Sequence, residues 1–468
     1  MTQIDHDVGP ERAPKRSWRL PALTVAGFGA VLGLALVFGN AADAGTRHAK
    51  ATSGTASAAA AHGAVDTSLA VAGRKIFRHD TFGDGHFWAG TLHLNKAIEG
   101  AKHGGVGPGL SPVAALGAGL KVDVDALPPA VVDALKAGKV NLKDPATTLT
   151  LLKLDAVVGV QGKFNSSGSR LTSVGITCAV CHSTVDNSLA PGIGHRLDGW
   201  SNQDLNVGAV INLAPRGRLR PVAKELHTNE ATVRKVLRSW GPGKFDAELF
   251  FDGKAFQPNG RSGATLIPPA FGLAGVNLHT WTGWGSVTQW NALVANLEMH
   301  GRGTYHDTRL DNAKQFPIAA ENRFGHTHHK VDLVTPKLAA LQAYEEVLKA
   351  PKAPAGSFNA AKAKIGKRLF MNKAGCATCH VPPLFTEPGF NMHPGSDIGI
   401  DSFEANRSPT HMYRTTPLKG LWTHMRRGFY HDGRFKTLLA VVNHYNRFQK
   451  LHLTNVQKQD IVQYLKSL

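Results

Sequence analysis

Cysteine is scarce in this sequence, with only four residues among 468. So few cysteines exclude a scaffold built from disulfides, and any role they have is local. Acidic residues are also few, because 34 Asp and Glu stand against 53 Lys and Arg and leave a formal net charge of +19. Charged residues make up 19% and apolar residues 42%. This composition excludes a mostly disordered chain and allows sizeable buried cores.

Two sequence patterns are also missing. Aromatic and basic residues do not interleave as they do in nucleic-acid recognition motifs, so nucleic acid is a disfavoured partner. Strand and helix patterns do not alternate regularly, which disfavours a parallel α/β sheet. The sequence therefore predicts a mainly α protein, and its positive charge suits an acidic protein or an anionic membrane surface.

Residues 1–44 have the pattern of an export segment. Basic residues at 12–19 precede an apolar run at 21–39, and Ala42-Asp43-Ala44 matches a small-x-small cleavage site. The run is also long enough to span a bilayer, so a cleaved signal peptide and a membrane anchor both remain open. Either outcome places the rest of the chain in the periplasm. Residues 45–65, rich in Ala, Ser and Gly, predict a flexible tether.

Two parts of the chain begin and end with similar sequence patterns. Gly73–Phe77 and Gly366–Phe370 both end short helical patterns. Residues 333–348 and 453–468 both place apolar residues three and four apart, with a Tyr near the end, as amphipathic helices do. The chain therefore contains two units with a shared plan.

The boundaries of these units follow from a Pro-rich stretch between them. We predict a first unit at 66–350, a linker at 351–356 and a second unit at 357–468. The first unit is much longer and carries large loop-rich insertions. One of them, 83–175, includes two predicted short helices, at 131–137 and 147–154.

All four cysteines fall in two copies of the pattern Cys-x-x-Cys-His, formed by Cys178, Cys181 and His182 and by Cys376, Cys379 and His380. This pattern attaches c-type haem, because each thiol adds to one vinyl group of the porphyrin and the adjacent His binds the iron. Zinc sites and thioredoxin-like pairs also use Cys-x-x-Cys, but neither requires the following His. The sequence predicts two covalently bound haem c groups with histidine as the proximal ligand of each.

The ligand on the other side of each iron decides whether a haem carries electrons or binds a substrate. A Met or His in this sixth coordination position prevents a substrate from binding to the iron, whereas a displaceable ligand allows it. The residues themselves leave the choice open for the second haem, where the downstream candidates are Met392, His393, His411, Met412, His424, Met425 and His431.

Residues 412–435 (MYRTTPLKGLWTHMRRGFYHDGRF) resemble the C-terminal domain of the bacterial di-haem cytochrome c peroxidase and MauG family. The resemblance implies two cytochrome c-type haem domains. It also implies that Met412 ligates the second haem, with His411 as the rival, and that His431 has a structural role or lies near a propionate.

The first unit resembles this family more loosely. In the family, a His on a mobile loop closes the N-terminal haem in the resting enzyme, and the similar position here is His195, with His227 as the runner-up. Trp281 matches a Trp that bridges the haems. Glu298 matches an acidic residue that serves the peroxide pocket, and Gln289 lies between the two. The segment lacks the family's usual Asp and Arg, and it lies unusually far along the chain after the first haem motif.

The resemblance implies a periplasmic di-haem oxidoreductase. Electrons from a small, acidic redox protein, a cytochrome c or a cupredoxin, would enter at the Met412 haem and reduce hydrogen peroxide at the first haem, with Glu298 as general acid and base. The family also implies a calcium ion between the domains, for which the sequence indicates no ligands. Two alternatives remain open: a non-catalytic electron carrier, and a MauG-like oxidase or oxygenase whose larger substrate binds the 83–175 insertion.

Overall fold

The computed structural model describes residues 67–387 and 389–468. The predicted export segment at 1–44 and the tether at 45–65 lie outside these residues. Within the described ranges, no helix is both long and apolar enough to cross a membrane.

Helices dominate the regular structure, and several begin at a proline or behind a capping side chain. Asn359, for example, accepts a hydrogen bond from the backbone N–H of Lys362, which satisfies one of the free donors at the helix start. The α-helices are α1 (Thr67–His79), α2 (Leu94–Glu99), α3 (Pro112–Gly117), α4 (Pro129–Lys136), α5 (Pro145–Lys153), α6 (Ala179–His182), α7 (Val207–Ile211), α8 (Arg220–Glu225), α9 (Glu230–Trp240), α10 (Leu249–Asp252), α11 (Val287–Leu293), α12 (Pro317–Glu321), α13 (Leu338–Val347), α14 (Ala360–Met371), α15 (Leu438–Phe448) and α16 (Asn455–Ser467).

Shorter helical turns lie between these helices. Two are π-helical, at His86–Thr91 and Val294–Glu298. The 3-10 turns are Ala101–His103, Val124–Ala126, Thr308–Asp311, Thr335–Lys337, Cys376–Thr378, Gly395–Ile398, Ala405–Arg407 and Leu421–His424.

The described strands are short and form five two-stranded sheets. The parallel pair is β1 (Val122–Asp123) with β5 (Ile193–Gly194). The antiparallel pairs are β2 (Val160–Phe164) with β3 (Leu171–Ile176), β4 (Ser183–Val185) with β6 (Arg196–Asp198), β7 (Lys244–Phe245) with β8 (Thr265–Leu266), and β9 (Thr304–His306) with β10 (His326–His328). The helix-rich part of the predicted fold class is confirmed, as are the two short helices predicted at 131–137 and 147–154, which correspond to α4 and α5. The division into two haem domains at 351–356 stays a prediction.

The two helix pairs that open and close the predicted units pack in the same way. A Cβ atom at Gly73 of α1 would lie 1.9 Å from the carbonyl oxygen of Ala340 in α13, and a Cβ atom at Gly366 of α14 would lie 2.0 Å from that of Asp460 in α16. Only glycine allows the backbones to approach this closely. The shared glycine is therefore a packing requirement at both crossings.

An aromatic pair completes each crossing. The rings of Phe77 and Tyr344 are 5.4 Å apart, and those of Phe370 and Tyr464 are 5.3 Å apart, both edge to face. This arrangement is favourable for aromatic side chains beyond the area they bury. In each predicted unit, the first helix of the crossing, α1 or α14, precedes the cysteine motif in the chain.

Candidate haem sites

A large apolar cavity lies beside the first Cys-x-x-Cys-His motif. Its volume is about 560 Å³, and Cys178, Cys181 and His182 form part of its wall. Most of the other wall residues are aliphatic or aromatic, including Trp88, Leu219, Val236 and Phe250 among many others. A cavity of this size and character suits a porphyrin, whose ring is flat and largely apolar.

The imidazole of His182 is held as an iron ligand requires. Its Nδ1 lies 3.0 Å from the carbonyl oxygen of Pro268. Because a carbonyl oxygen only accepts hydrogen bonds, Nδ1 carries the proton and Nε2 keeps its lone pair for a metal. Burial lowers the pKa of His182 to about 4, so the ring is neutral at physiological pH.

The second motif repeats this arrangement. Nδ1 of His380 lies 3.1 Å from the carbonyl oxygen of Phe385. Burial again lowers the pKa of this histidine. All four motif cysteines are free of disulfides. The donor sets and the cavity therefore fit two haem c groups, with the thiols available for attachment and each histidine oriented by a backbone carbonyl.

Glu298 lies in the wall of the first cavity, at the end of the π-helical turn Val294–Glu298. Neither of its carboxylate oxygens has a hydrogen-bond partner, and both are closed off from solvent. Burial, together with repulsion from Glu248 and Asp246, raises the pKa of Glu298 well above its usual range. The surroundings of Glu298 therefore favour its protonated form, which can donate a proton in the cavity.

Trp281 lies between this cavity and the Met412 segment. Its indole N–H donates to the carbonyl oxygen of Leu266 at 2.8 Å, and the residue lines the cavity. The backbone N–H of Arg414 donates to the carbonyl oxygen of Trp281 at 2.9 Å, and Nε of Arg414 donates to that of Thr280 at 2.9 Å. The segment that begins at Met412 is thus hydrogen-bonded directly to the turn that contains Trp281.

Gln289 is placed differently. Its Nε2 donates to Oδ2 of Asp307 at 3.2 Å, and the residue is not part of the cavity wall in the described structure. Asp307 also accepts hydrogen bonds from Trp284 and Arg309. The catalytic role of Gln289 stays a prediction, and its observed contacts belong to this buried polar network.

His195 lies outside the cavity wall. Its Nδ1 is 2.8 Å from a carboxylate oxygen of Asp125, and 58% of the side chain is exposed. His227 does line the cavity, but its Nε2 is 2.8 Å from a carboxylate oxygen of Glu321. Both assignments as the distal ligand of the first haem stay predictions.

Two further histidines also line this cavity, the buried His279 and the partly buried His300. The ring of His300 stacks on that of Phe87 with a centroid distance of 3.5 Å. Burial lowers the pKa of each histidine to about 4, so both rings are neutral. The position of His300, two residues after Glu298, is the sequence signal that could have drawn attention to it.

Around the second motif, the backbone of Thr416 lies against the ring of His380 and raises its pKa, opposing burial. The Met412 segment therefore passes beside the predicted proximal ligand. Met412 itself is 39% exposed, and its backbone N–H donates to Oγ1 of Thr410 at 3.4 Å. Its role as the sixth ligand stays a prediction, and neighbouring His411 is exposed as well.

The other ligand candidates for the second haem have varied surroundings. Nε2 of His393 is 2.6 Å from Oε2 of Glu387, and these two residues form with Cys379 a group close enough to share a metal ion. This nitrogen- and sulfur-containing set does not suit calcium, which prefers oxygen ligands. The buried ring of His431 stacks on Tyr413, with the centroids 5.1 Å apart.

The remaining ligand candidates differ mainly in burial. Burial lowers the pKa of His424 to about 4, so its imidazole is neutral. Met425, by contrast, is 44% exposed. The sulfur of Met392 lies beside Gly283, where an added Cβ atom would meet it at 2.5 Å.

Comparison with known proteins supports the haem assignment. No family model matches the chain. Over 243 residues, the chain is 28% identical to the methylamine utilization protein MauG of Methylorubrum extorquens, a match that covers 43% of this chain and 63% of MauG. The chain thus spans less than two thirds of the length of this curated relative.

Two solved structures are also similar to the chain. Hydrazine synthase of Kuenenia stuttgartiensis, pressurized with xenon, has a TM-score of 0.25 and 17% identity, over 47% of this chain and 86% of that one. A MauG-like protein associated with microbial copper homeostasis has a TM-score of 0.31 and 16% identity, over 48% of this chain and 80% of that one. The sequence similarity to MauG confirms the predicted resemblance: the chain is related to the MauG and di-haem cytochrome c peroxidase-like family.

Proposed function

We propose that this di-haem oxidoreductase reduces hydrogen peroxide to water in the cavity beside the first haem motif. The observation that carries the proposal is the placement of Glu298 in the wall of that cavity, where its carboxyl group has no hydrogen-bond partner and burial raises its pKa. A buried acid without a partner is costly for folding, so its presence in a cleft is typical of a functional group.

Peroxide reduction consumes two electrons and two protons, breaks the O–O bond and releases two water molecules. The haem, when bound, supplies the iron that holds peroxide and delivers the electrons. Glu298 provides a proton to the departing oxygen, which leaves as water rather than as hydroxide. The apolar wall around Glu298 keeps bulk water from protonating or solvating the reacting atoms.

The second haem serves in this proposal as the entry point for electrons. The hydrogen bonds that join Arg414 to Thr280 and Trp281 link its segment to the first cavity. Arg414 itself lines the cavity, and Trp281 provides a second described connection between the Met412 segment and the cavity wall. We assign Trp281 the position of an electron-transfer contact.

The proposed electron donor is a small acidic redox protein, a cytochrome c or a cupredoxin. A net charge of +19 attracts such a partner and accelerates its encounter, with an effect that weakens as salt rises. Such a donor would meet this chain in the periplasm, where the export pattern at 1–44 would deliver it.

A second candidate function is the oxidation of a larger substrate, as an alternative use of the same site. The observation that favours it is the match to MauG, a methylamine utilization protein, rather than to a peroxidase. In this case the described part of the 83–175 insertion, which includes α2 to α5, would provide the binding surface.

The test of the leading proposal is peroxide turnover by protein loaded with both haems and supplied with a one-electron donor. Glu298→Gln keeps the size of the side chain but removes its acid, and we expect turnover to fall about 100-fold or more. The matched control is Glu346→Gln on α13, outside the cavity wall, which we expect to retain wild-type turnover. Equal rates for wild type and Glu298→Gln would contradict the assigned role.

A further inference from the structure

A second group of buried carboxylates adjoins Glu298. Glu248, at the start of α10, and Glu404, before the turn Ala405–Arg407, are both buried and both line the same cavity. Each has one carboxylate oxygen, Oε2, without a hydrogen-bond partner. Glu404 is distant from Glu248 in sequence, so the fold rather than a local motif brings the two acids to one wall.

One buried arginine lies among these acids, and two aspartates already neutralise it. Nε of Arg407 donates to Oδ2 of Asp252 at 2.9 Å, and its Nη2 donates to Oδ1 of Asp246 at 2.8 Å. The contact between the guanidinium of Arg407 and the carboxylate of Glu404 is longer, with Nη1 3.7 Å from Oε2. All of these side chains are nearly inaccessible to solvent.

The charges of this cluster do not balance if every carboxylate is ionised. A single guanidinium would then face the carboxylates of Asp246, Asp252, Glu248 and Glu404, with Glu298 beside them. Burying unpaired charges costs far more than holding a proton, so the acids without close cationic partners stay neutral. In agreement, burial and like-charge repulsion raise the pKa of Glu248 to about 7 and raise that of Glu404 well above its usual range.

We infer that Glu248 is the second proton donor of the cavity and that Glu404 holds a reserve proton behind it. The inference rests on the proposed peroxide reduction, in which H2O2, two electrons from the donor protein and two protons give two water molecules. Glu298 carries only one proton, so the second must come from elsewhere. Glu248 supplies it, its carboxylate is reprotonated from Glu404, and protons from solvent restore Glu298 and Glu404 between turnovers.

Arg407 has a positioning role in this arrangement. Its contacts with Asp246 and Asp252 fix the α10 turn that carries Glu248, and its weaker contact with Glu404 leaves that acid free to keep its proton. The pair of aspartates therefore anchors the arginine, and the pair of glutamates carries protons.

The test uses Glu248→Gln in protein loaded with both haems. Its first readout needs no turnover: the infrared difference spectrum of the oxidised protein between about pH 6 and about pH 8 should contain a carboxylic-acid band that is absent from the variant. A spectrum in which Glu248 is already ionised at about pH 6 would overturn the inference by itself.

The second readout is the pH profile of peroxide turnover. We expect Glu248→Gln to be about tenfold slower than wild type at about pH 6, where Glu248 is protonated, and the two rates to converge above about pH 8, where it is ionised in wild type. The matched control is Asp84→Asn, another buried acid with an unpartnered oxygen but outside the cavity wall, which should retain the wild-type profile.

The outcomes separate this inference from the proposed function. If wild type turns over peroxide and Glu248→Gln has the same profile, the proton-donor role is wrong and the peroxidase proposal stands. If wild type does not turn over peroxide at any pH, both are wrong. A slow variant whose defect is the same at every pH would also overturn the inference, because a packing defect and not a lost proton would then explain it.

Discussion

The two halves of this chain share their helix packing and the orientation of the motif histidine, but they differ in the surroundings of their acidic residues. In each, a glycine lets two helices cross closely, a Phe and a Tyr pack edge to face beside the crossing, and a backbone carbonyl orients the motif histidine through Nδ1. Both halves thus share the packing of their helix pairs and the orientation of their motif histidines. The features found in only one half are therefore the place to look for reactivity.

The clearest difference between the two halves is whether the acidic side chain near each motif has a partner. Glu387, near the second motif, is paired with His393 at 2.6 Å. Glu298, in the cavity of the first motif, has no hydrogen-bond partner, has a raised pKa and is accompanied by Glu248 and Glu404. A paired carboxylate stabilises structure and charge, whereas an unpaired protonated one can deliver a proton. This contrast supports the proposal that electrons enter at the second site and that proton-coupled chemistry takes place at the first.

The largest effects are expected when one haem at a time is removed, which tests whether the two motifs have different roles. The double variant Cys178→Ala with Cys181→Ala should retain one covalent haem by mass spectrometry and lose peroxide turnover completely. The double variant Cys376→Ala with Cys379→Ala should also retain one haem, because each motif binds its own. We expect it to lose turnover driven by the donor protein.

A rescue experiment distinguishes these two losses. A small chemical reductant that reaches the first haem directly should restore part of the turnover of the Cys376 and Cys379 variant and none of that of the Cys178 and Cys181 variant. The opposite pattern would reverse the assignment of the two sites.

A smaller effect is expected from a single substitution that tests the predicted sixth ligand of the second haem. If Met412 ligates its iron, Met412→His should lower the reduction potential of that haem, because imidazole stabilises the oxidised iron more than a thioether does. The matched control is Met371→His, whose methionine is similarly exposed at 40% and is not a ligand candidate. Redox titration of each haem gives the answer, and a potential unchanged by Met412→His would exclude Met412 as the ligand.

The smallest expected effects test the shared packing. Gly73→Ala and Gly366→Ala should each lower the free energy of unfolding by about 1–3 kcal/mol, because the added methyl group would overlap a backbone carbonyl in both crossings. Gly117→Ala, in a helix with open space at this position, should not destabilise the protein. Urea unfolding measures all three, and a large effect at only one of the two crossings would show that they are not equivalent.

The local features of this molecule were readable from sequence because their causes are local. The Cys-x-x-Cys-His motifs, the helices around Gly73 and Gly366, and the placement of Glu298 in the first cavity all depend on spacing or on a short family-like segment. The carbonyl partners of the motif histidines, Pro268 and Phe385, could not be predicted, since backbone acceptors leave no residue signature.

The acids that line the cavity with Glu298 could not be predicted from the sequence either. Glu248 and Glu404 meet at one wall only because the chain folds back over more than a hundred intervening residues, and neither belongs to a recognisable motif. The assignment of His195 as distal ligand stays a prediction. Its ring contacts Asp125 at the surface, while the buried His279 and the partly buried His300 line the cavity.

The central claim is that the first haem is open to substrate and the second is not. The most direct test is the spectrum of protein reduced by one electron equivalent, recorded with and without cyanide. We expect one haem to be high-spin, ferric and able to bind cyanide, and this haem should be missing from the Cys178 and Cys181 variant. Two low-spin haems that bind no ligand in any redox state would contradict the account and identify the protein as an electron carrier.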